Sequence, residues 1–259
     1  MDLGWVRIEL FPGAPYSVRH ALLEHTVGIA IERQHGSHAF GSDRLQDFDT
    51  WTGTVAYTPP NLETRSESDQ GGEYLALRFP DAPKLGWTTA GRRLEMRPSL
   101  GGQRRVLEVA LRLRRALLVP SSEPEELNAL SVRMILLAQH VIAATNLHTA
   151  VDPMNRLQIA RVLDYIEADI AEPLRLAELA ATAELPLLRF VRSFTKVVGL
   201  TPHAYVMERR LQHARRMLIG SKTSLAEIAV ACGFVHQSHL GVALKRAIGL
   251  TPRQLRYRD

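Results

Sequence analysis

Two stretches of this chain, Leu176 to Pro202 and Leu225 to Pro252, repeat one another, and a repeat of this length constrains local structure more tightly than composition does. Leu-Ala-Glu-Leu-Ala at 176–180 faces Leu-Ala-Glu-Ile-Ala at 225–229, and Gly-Leu-Thr-Pro stands at both 199–202 and 249–252. Between these anchors Leu185 answers Phe234, Phe190 answers Leu240 and Phe194 answers Leu244, with one residue inserted in the second copy.

Each copy reads as a short helix, a tight turn and a second helix. In the second copy Ser224 followed by Glu227 is a capping box, and Gly233 can take the positive φ of a sharp turn. Leu240, Leu244, Ala247 and Ile248 then share one helical face, as Phe190, Phe194, Val197 and Val198 do in the first copy, where Leu187 is also expected on the core face. This is helix-turn-helix geometry, whose second helix can enter a DNA major groove. The first module spans about 174–198 and the second about 224–248. Between them a helix over 203–219, with Pro202 at its first position and Gly220 at its stop, gives a rigid spacer of about 25 Å at ~1.5 Å per residue. Two reading helices held roughly 34 Å apart would meet successive major grooves on one face of B-DNA.

The last hundred or so residues resemble the DNA-binding domain of the AraC/XylS family of bacterial transcription regulators. Leu163, Tyr165, Ile166, Leu179, Ala180, Phe190, Phe194, Gly199, Pro202, Arg210, Leu211, Ala214, Ile228, Ala229, Gly233, Phe234, Gly249 and Pro252 are among the residues that carry it. The resemblance implies base contact by Arg192 and a structural role for Arg210 at the junction of the modules. The chain also departs from the family pattern. Arg175 stands where a capping Ser or Thr is usual, Glu184 where the turn has glycine, and Pro186, Leu187 and Leu188 where the reading helix starts polar. Gly241 and Val242 replace a usual Ser and Arg.

On the first reading helix, the side away from the core carries Leu188, Arg189, Arg192 and Lys196. Arg192 is suited to bidentate pairing with guanine, Lys196 to a phosphate and Leu188 to a thymine methyl. On the second, Gln237, Ser238, His239 and Val242 face the bases, with Gln237 suited to adenine, while Lys245 and Arg246 hold the backbone.

Charge is divided in the same way. Residues 156–259 hold 16 Lys and Arg against 9 Asp and Glu, a balance of +7, whereas residues 1–155 balance at −2. The positive excess sits where a phosphate backbone would draw it. The lone Cys232, beside the turn glycine, reads as a packing residue in a reducing compartment. With no leader-like start and no membrane-length apolar run, the expected location is the cytoplasm.

Ahead of this domain the first hundred residues read as mostly β. Strands are expected at 6–11, 27–31, 55–57 and 73–79, with 63–72 as a loop or exposed hairpin, in a small sandwich or barrel. Placed N-terminal to such a DNA-binding domain, the region resembles the cupin-type sensor of many AraC/XylS proteins. Two amphipathic helices come next, at 104–118 and about 123–145, with arginines on the outer side of the first. They pack on the chain's own barrel or on a second subunit; the family resemblance implies a dimer contact. The fold class is thus multidomain α+β: a cupin-like sensor over 1–100, a helical segment over 101–148, a linker over 149–155 and an all-α DNA-binding domain over 156–259.

His35, His38 and Glu32 form the single grouping in the first domain that resembles a metal site. His-x-x-His does not share one strand face, so exposed loop histidines are the expectation and no metal or other cofactor is assigned. Trp51, Tyr57 and Tyr74 either line a ligand pocket or fill core and edge positions. The resulting expectation is a non-enzymatic, sequence-specific regulator that binds double-stranded promoter DNA. RNA polymerase, an unidentified small-molecule effector and a second copy of the chain are its further partners. An effector-independent regulator controlled by abundance and a metal-dependent cupin enzyme are the alternatives.

Overall fold

The computed structural model describes residues 1–80, 103–119, 122–145 and 154–257. Contacts divide the chain into two compact units, Met1–Ala150 and Val151–Asp259. Of the expected linker, residues 149–153 lie outside the described residues.

Among the described residues the first unit has eight strands: β1 (Arg7–Phe11), β2 (Tyr16–Ala21), β3 (His25–Ala30), β4 (Gln34–Phe40), β5 (Gln46–Thr50), β6 (Val55–Thr58), β7 (Glu63–Ser68) and β8 (Tyr74–Phe79). They form two four-stranded antiparallel sheets, ordered β1-β8-β3-β6 and β2-β7-β4-β5. Pairing is nested, β1 with β8, β2 with β7, β3 with β6 and β4 with β5, which is the strand order of a double-sheet jelly roll.

Alternation decides what each face of the first sheet carries. Register places Ile8, Leu77, Val27 and Tyr57 side by side, and all four are buried. The helices α1 (Arg104–Leu118) and α2 (Pro124–Thr145) pack on each other, with α1 along β3 and α2 along β6, and cover this apolar face. Leu107, Ala110 and Leu113 of α1 and Leu127, Met134 and Ala138 of α2 are buried within this unit. Trp5 Nε1 donates to Asn128 Oδ1 at 2.8 Å and ties the start of the chain to α2.

Four expectations change here. Residues 63–68 are not a loop but β7, the central strand that pairs with both β2 and β4. Strands β2, β4 and β5 are not legible in the sequence, because they lack an apolar face. His35 and His38 lie on β4 rather than in a loop; His35 is exposed, and His38 stacks on Phe48 at 5.0 Å. Arg114 does not join the exposed Arg104, Arg105, Arg112 and Arg115. It is buried and donates Nη1 to Glu73 Oε2 at 2.9 Å, while the Glu73 N–H donates to Glu32 Oε2 at 3.0 Å. Among the described residues no group of three or more His, Cys, Asp or Glu could hold a metal ion, and no helix is long and apolar enough to cross a membrane.

The second unit is helical: α3 (Arg156–Ala168), α4 (Leu176–Thr182), α5 (Leu187–Val198), α6 (Pro202–Gly220), α7 (Leu225–Ala231), α8 (Gln237–Ile248) and α9 (Pro252–Arg256). The repeated Gly-Leu-Thr-Pro is a stop-and-restart device. Gly199 and Gly249 end α5 and α8 at φ of 83° and 79°, Thr201 and Thr251 cap the next helix through their hydroxyls, and Pro202 and Pro252 take its first turn. Gly220 is the last residue of α6 rather than a left-handed stop; Ser221 caps the helix in extended conformation. Phe190, Phe194 and Tyr205 centre the core of the first module, with the Phe194 and Tyr205 rings edge to face at 5.8 Å.

Candidate nucleic-acid interface

Two helix-turn-helix modules, α4–α5 and α7–α8, are set against α3 and α6. The helix before each module carries an arginine that reaches its turn, and the two arginines have the same separation in sequence as the modules. Arg210 of α6 donates Nε to the Ile170 carbonyl at 2.9 Å, Nη1 to the Gly233 carbonyl at 2.9 Å and Nη2 to the Glu172 carbonyl at 2.6 Å. One guanidinium thus closes three backbone acceptors at the junction of the modules, the structural role expected of it. In the first copy Arg161 of α3 sits at the equivalent place and pairs through Nη1 with Glu184 Oε1 at 3.2 Å. The repeat therefore extends back into α3, beyond the bounds that the matched sequence segments indicate, although the shared spacing of the two arginines is a signal of it.

A second junction joins α3 to α6. Glu167 accepts from Arg209 Nε at 2.5 Å and Nη2 at 3.0 Å and lies 3.1 Å from His213 Nε2; Arg209 Nη1 also donates to Gln212. Burial pushes the Glu167 carboxyl upward, but the hydrogen bonds of His213 and Arg209 outweigh it and hold the group down to about 2. Cys232 is buried beside Met217, and burial pushes its thiol up to about 11. That is a packing position and not a nucleophile's.

Phe190, Phe194 and Val197 bury one side of α5, whereas Leu188, Arg189, Arg192 and Lys196 are exposed on the other. Leu187, expected in the core, is 44% exposed and joins the outward side at the start of the helix. On α8, Leu240, Leu244 and Ile248 are buried, and Gln237, Ser238, His239, Val242, Lys245 and Arg246 lie outside that buried row. His239 is braced edge-on against Phe234 at 5.3 Å. Neither α5 nor α8 has an N-cap side chain bonded to its first amides, and neither has an acid in its first turn. Each module thus presents one outward helical stripe with cations at its end and no carboxylate at its start.

In the first unit, the face of β8 opposite the apolar one carries Tyr74, Ala76 and Arg78, and that of β3 carries Thr26, Gly28 and Ala30. These small and polar residues look toward the second sheet. Arg78 Nη2 pairs with Glu9 Oε2 at 2.8 Å, and His20 of β2 is held below its ordinary pKa by burial and by Arg78. Burial likewise pushes the Tyr74 hydroxyl up, with Tyr16 of β2 adding to it. A separate hollow of about 640 Å³ opens by Tyr16, Phe48 and the carboxylates Asp47, Glu67 and Asp69. Of the three aromatic candidates, Tyr74 lies between the sheets, while Trp51 and Tyr57 are buried, Tyr57 against the helices; none of them lines the hollow.

Fold and exposed faces together define a double helix-turn-helix unit of the DNA-binding class. Residues 179–258 match the helix-turn-helix domain family. The transcriptional activator RhaS of Yersinia pestis is 33% identical over 99 residues, 38% of this chain and 36% of its own. The thermoregulatory protein LcrF of Yersinia pestis is 28% identical over 142 residues, 54% and 52% of the two chains. A solved AraC-type transcriptional regulator from Chromobacterium violaceum is 29% identical over 39% of this chain and 90% of its own, with a TM-score of 0.37. The C-terminal unit carries a helix-turn-helix domain and is similar to transcriptional regulators of the AraC type. This chain spans between about a third and a half of the length of these curated relatives.

Proposed function

We propose that the chain is a sequence-specific transcription regulator that reads two adjacent major grooves of a promoter. The observation that carries this reading is the pair of outward stripes, Leu188-Arg192-Lys196 on α5 and Ser238-Val242-Arg246 on α8, set at equivalent positions of a duplicated frame. Arg189, Gln237, His239 and Lys245 complete the contact set. The +7 balance of residues 156–259 supplies the sequence-independent part of the affinity. The similarity of the C-terminal unit to transcriptional regulators supports the same conclusion, with RNA polymerase as the further partner at the promoter.

The first unit is assigned as a cupin-like sensor for a small-molecule effector. The jelly-roll strand order of its two sheets supports this. Self-association is proposed as a property of the whole protein, without assignment to the buried stripes of α1 and α2.

The test is selection of genomic fragments by the purified chain, followed by footprinting at two salt concentrations. Two protected patches about one helical turn apart are expected at a few promoters. Arg192→Ala should weaken specific binding by about tenfold or more and relax preference at a few base pairs, while Lys245→Ala should weaken all sequences alike and flatten the salt dependence. Equal losses on specific and random DNA for both variants would overturn the assignment. Ligand-dependent thermal stabilisation separates an effector-responsive regulator from one controlled by abundance.

A further inference from the structure

The two reading stripes use different chemistry at equivalent positions. Allowing for the one-residue insertion, Leu188 corresponds to Ser238, Arg192 to Val242 and Lys196 to Arg246. The terminal cations are common to both copies, as phosphate anchors would be. The other two positions are exchanged: apolar then cationic on α5, hydroxyl then apolar on α8. Both apolar residues stand out in solvent, Leu188 at 74% and Val242 at 70% exposure. Neither contributes to the core, and each sits in a row with arginine or lysine that a phosphate backbone would complement. Val235, in the turn before α8, is likewise exposed.

An apolar side chain in a cationic stripe has one natural partner in a major groove, the C5-methyl of thymine, because each base pair otherwise presents hydrogen-bonding atoms there. We infer that the protein reads an asymmetric operator by thymine methyl groups as well as by hydrogen bonds. In the first half-site Leu188 covers a thymine methyl beside a guanine held by Arg192. In the second, Val242 covers a thymine methyl at the position equivalent to that guanine. The inference rests on the DNA-binding reading above and adds the chemistry of the bases read. Leu188 and Val242 are its specificity-determining residues.

The experiment uses the full chain on a promoter fragment found by footprinting, with each thymine replaced singly by deoxyuridine. That change deletes the methyl and leaves Watson–Crick pairing and phosphates intact. A loss of about fourfold in affinity is expected at one or two thymines in each half-site, the scale of one buried methyl. Leu188→Ala should erase the uracil effect in the first half-site alone and Val242→Ala in the second alone. Both residues are exposed, so neither variant should alter the thermal midpoint. Val242→Arg should move the preferred base at its position from thymine to guanine. Uniform tolerance of uracil, or a uracil effect that survives in both alanine variants, would overturn the inference while the footprint itself still stood. Absence of any defined footprint would instead remove the regulator reading on which it rests.

Discussion

Gly233 turns the second module at a φ of +74°, and a Cβ added there would lie 2.7 Å from the Arg210 guanidinium and 2.8 Å from the Ile170 carbonyl oxygen. Two constraints coincide at one residue: a left-handed backbone and an arginine packed against the bare Cα. The first module meets only the first of these. Glu184 adopts a φ of +56° with a side chain in place, and that side chain is what receives Arg161. The pair is exposed, so its contribution to stability is small. Gly233→Ala should therefore destabilise the C-terminal unit by about 2 kcal/mol or more, adding left-handed strain to displacement of Arg210 from its three carbonyls. Urea unfolding of the full chain, read on the transition that abolishes DNA binding, is the measurement; a change within a few tenths of a kcal/mol would show that Arg210 yields freely.

At the level of the helices, four starts are capped by a side chain. Asn155, Ser224 and Thr251 each form a capping box, and Thr201 caps α6 by its hydroxyl. The starts of α1, α5 and α8 have no side-chain cap bond, and α4 has only part of one. Arg175 has donors but no acceptor, so only the return half of the box exists, its N–H donating to Glu178 Oε2 at 3.2 Å. Arg175→Ser should complete the box, as Ser224 does for α7, and stabilise the unit by about 1 kcal/mol. A higher unfolding midpoint with unchanged affinity for the operator is expected. An unchanged midpoint would mean that packing of Leu179 and Ala180, not the cap, limits α4.

For the molecule as a whole, acid sensitivity should concentrate where α3 meets α6. The Glu167 carboxyl is held at about 2 against an ordinary value of 4.5. A lowered carboxylate stabilises the folded state fully above its unfolded value, and this contribution is lost as pH falls from about 4.5 through about 2. Its size is on the order of 2–3 kcal/mol. Unfolding midpoints measured from pH 6 downward should fall through this window, and Glu167→Gln should flatten the profile while lowering stability at neutral pH. A profile identical to that of the unsubstituted chain would place the acid-sensitive contact elsewhere. The first unit holds a contrasting case, the buried pair of Glu73 and Arg114, in which the residue before β8 and helix α1 are joined by charges almost wholly removed from water.

The sequence by itself determined the C-terminal unit in detail. Its helices, turns, caps and outward stripes arise from local rules: a 3.6-residue period, a serine with a glutamate three residues on, a glycine at a positive φ. Such rules act within a few residues, and the duplication states them twice. The jelly roll is only half legible. Strands β1, β3, β6 and β8 announce themselves because one face of each is apolar and covered by α1 and α2. Strands β2, β4, β5 and β7 do not, because a sheet that presents polar residues on both faces leaves no period-two signal to read. Leu187 and Arg114 are misplaced by sequence for a related reason: helical spacing gives a residue's angle on its helix but not what lies opposite. Tertiary structure alone decided that Glu73 meets Arg114, that Arg210 closes the carbonyls of Ile170, Glu172 and Gly233, and that the inner face of the first sheet carries Gly28, Ala76 and the Arg78–Glu9 pair. Each depends on residues far apart in sequence meeting in space, where desolvation and register, not local propensity, set the outcome.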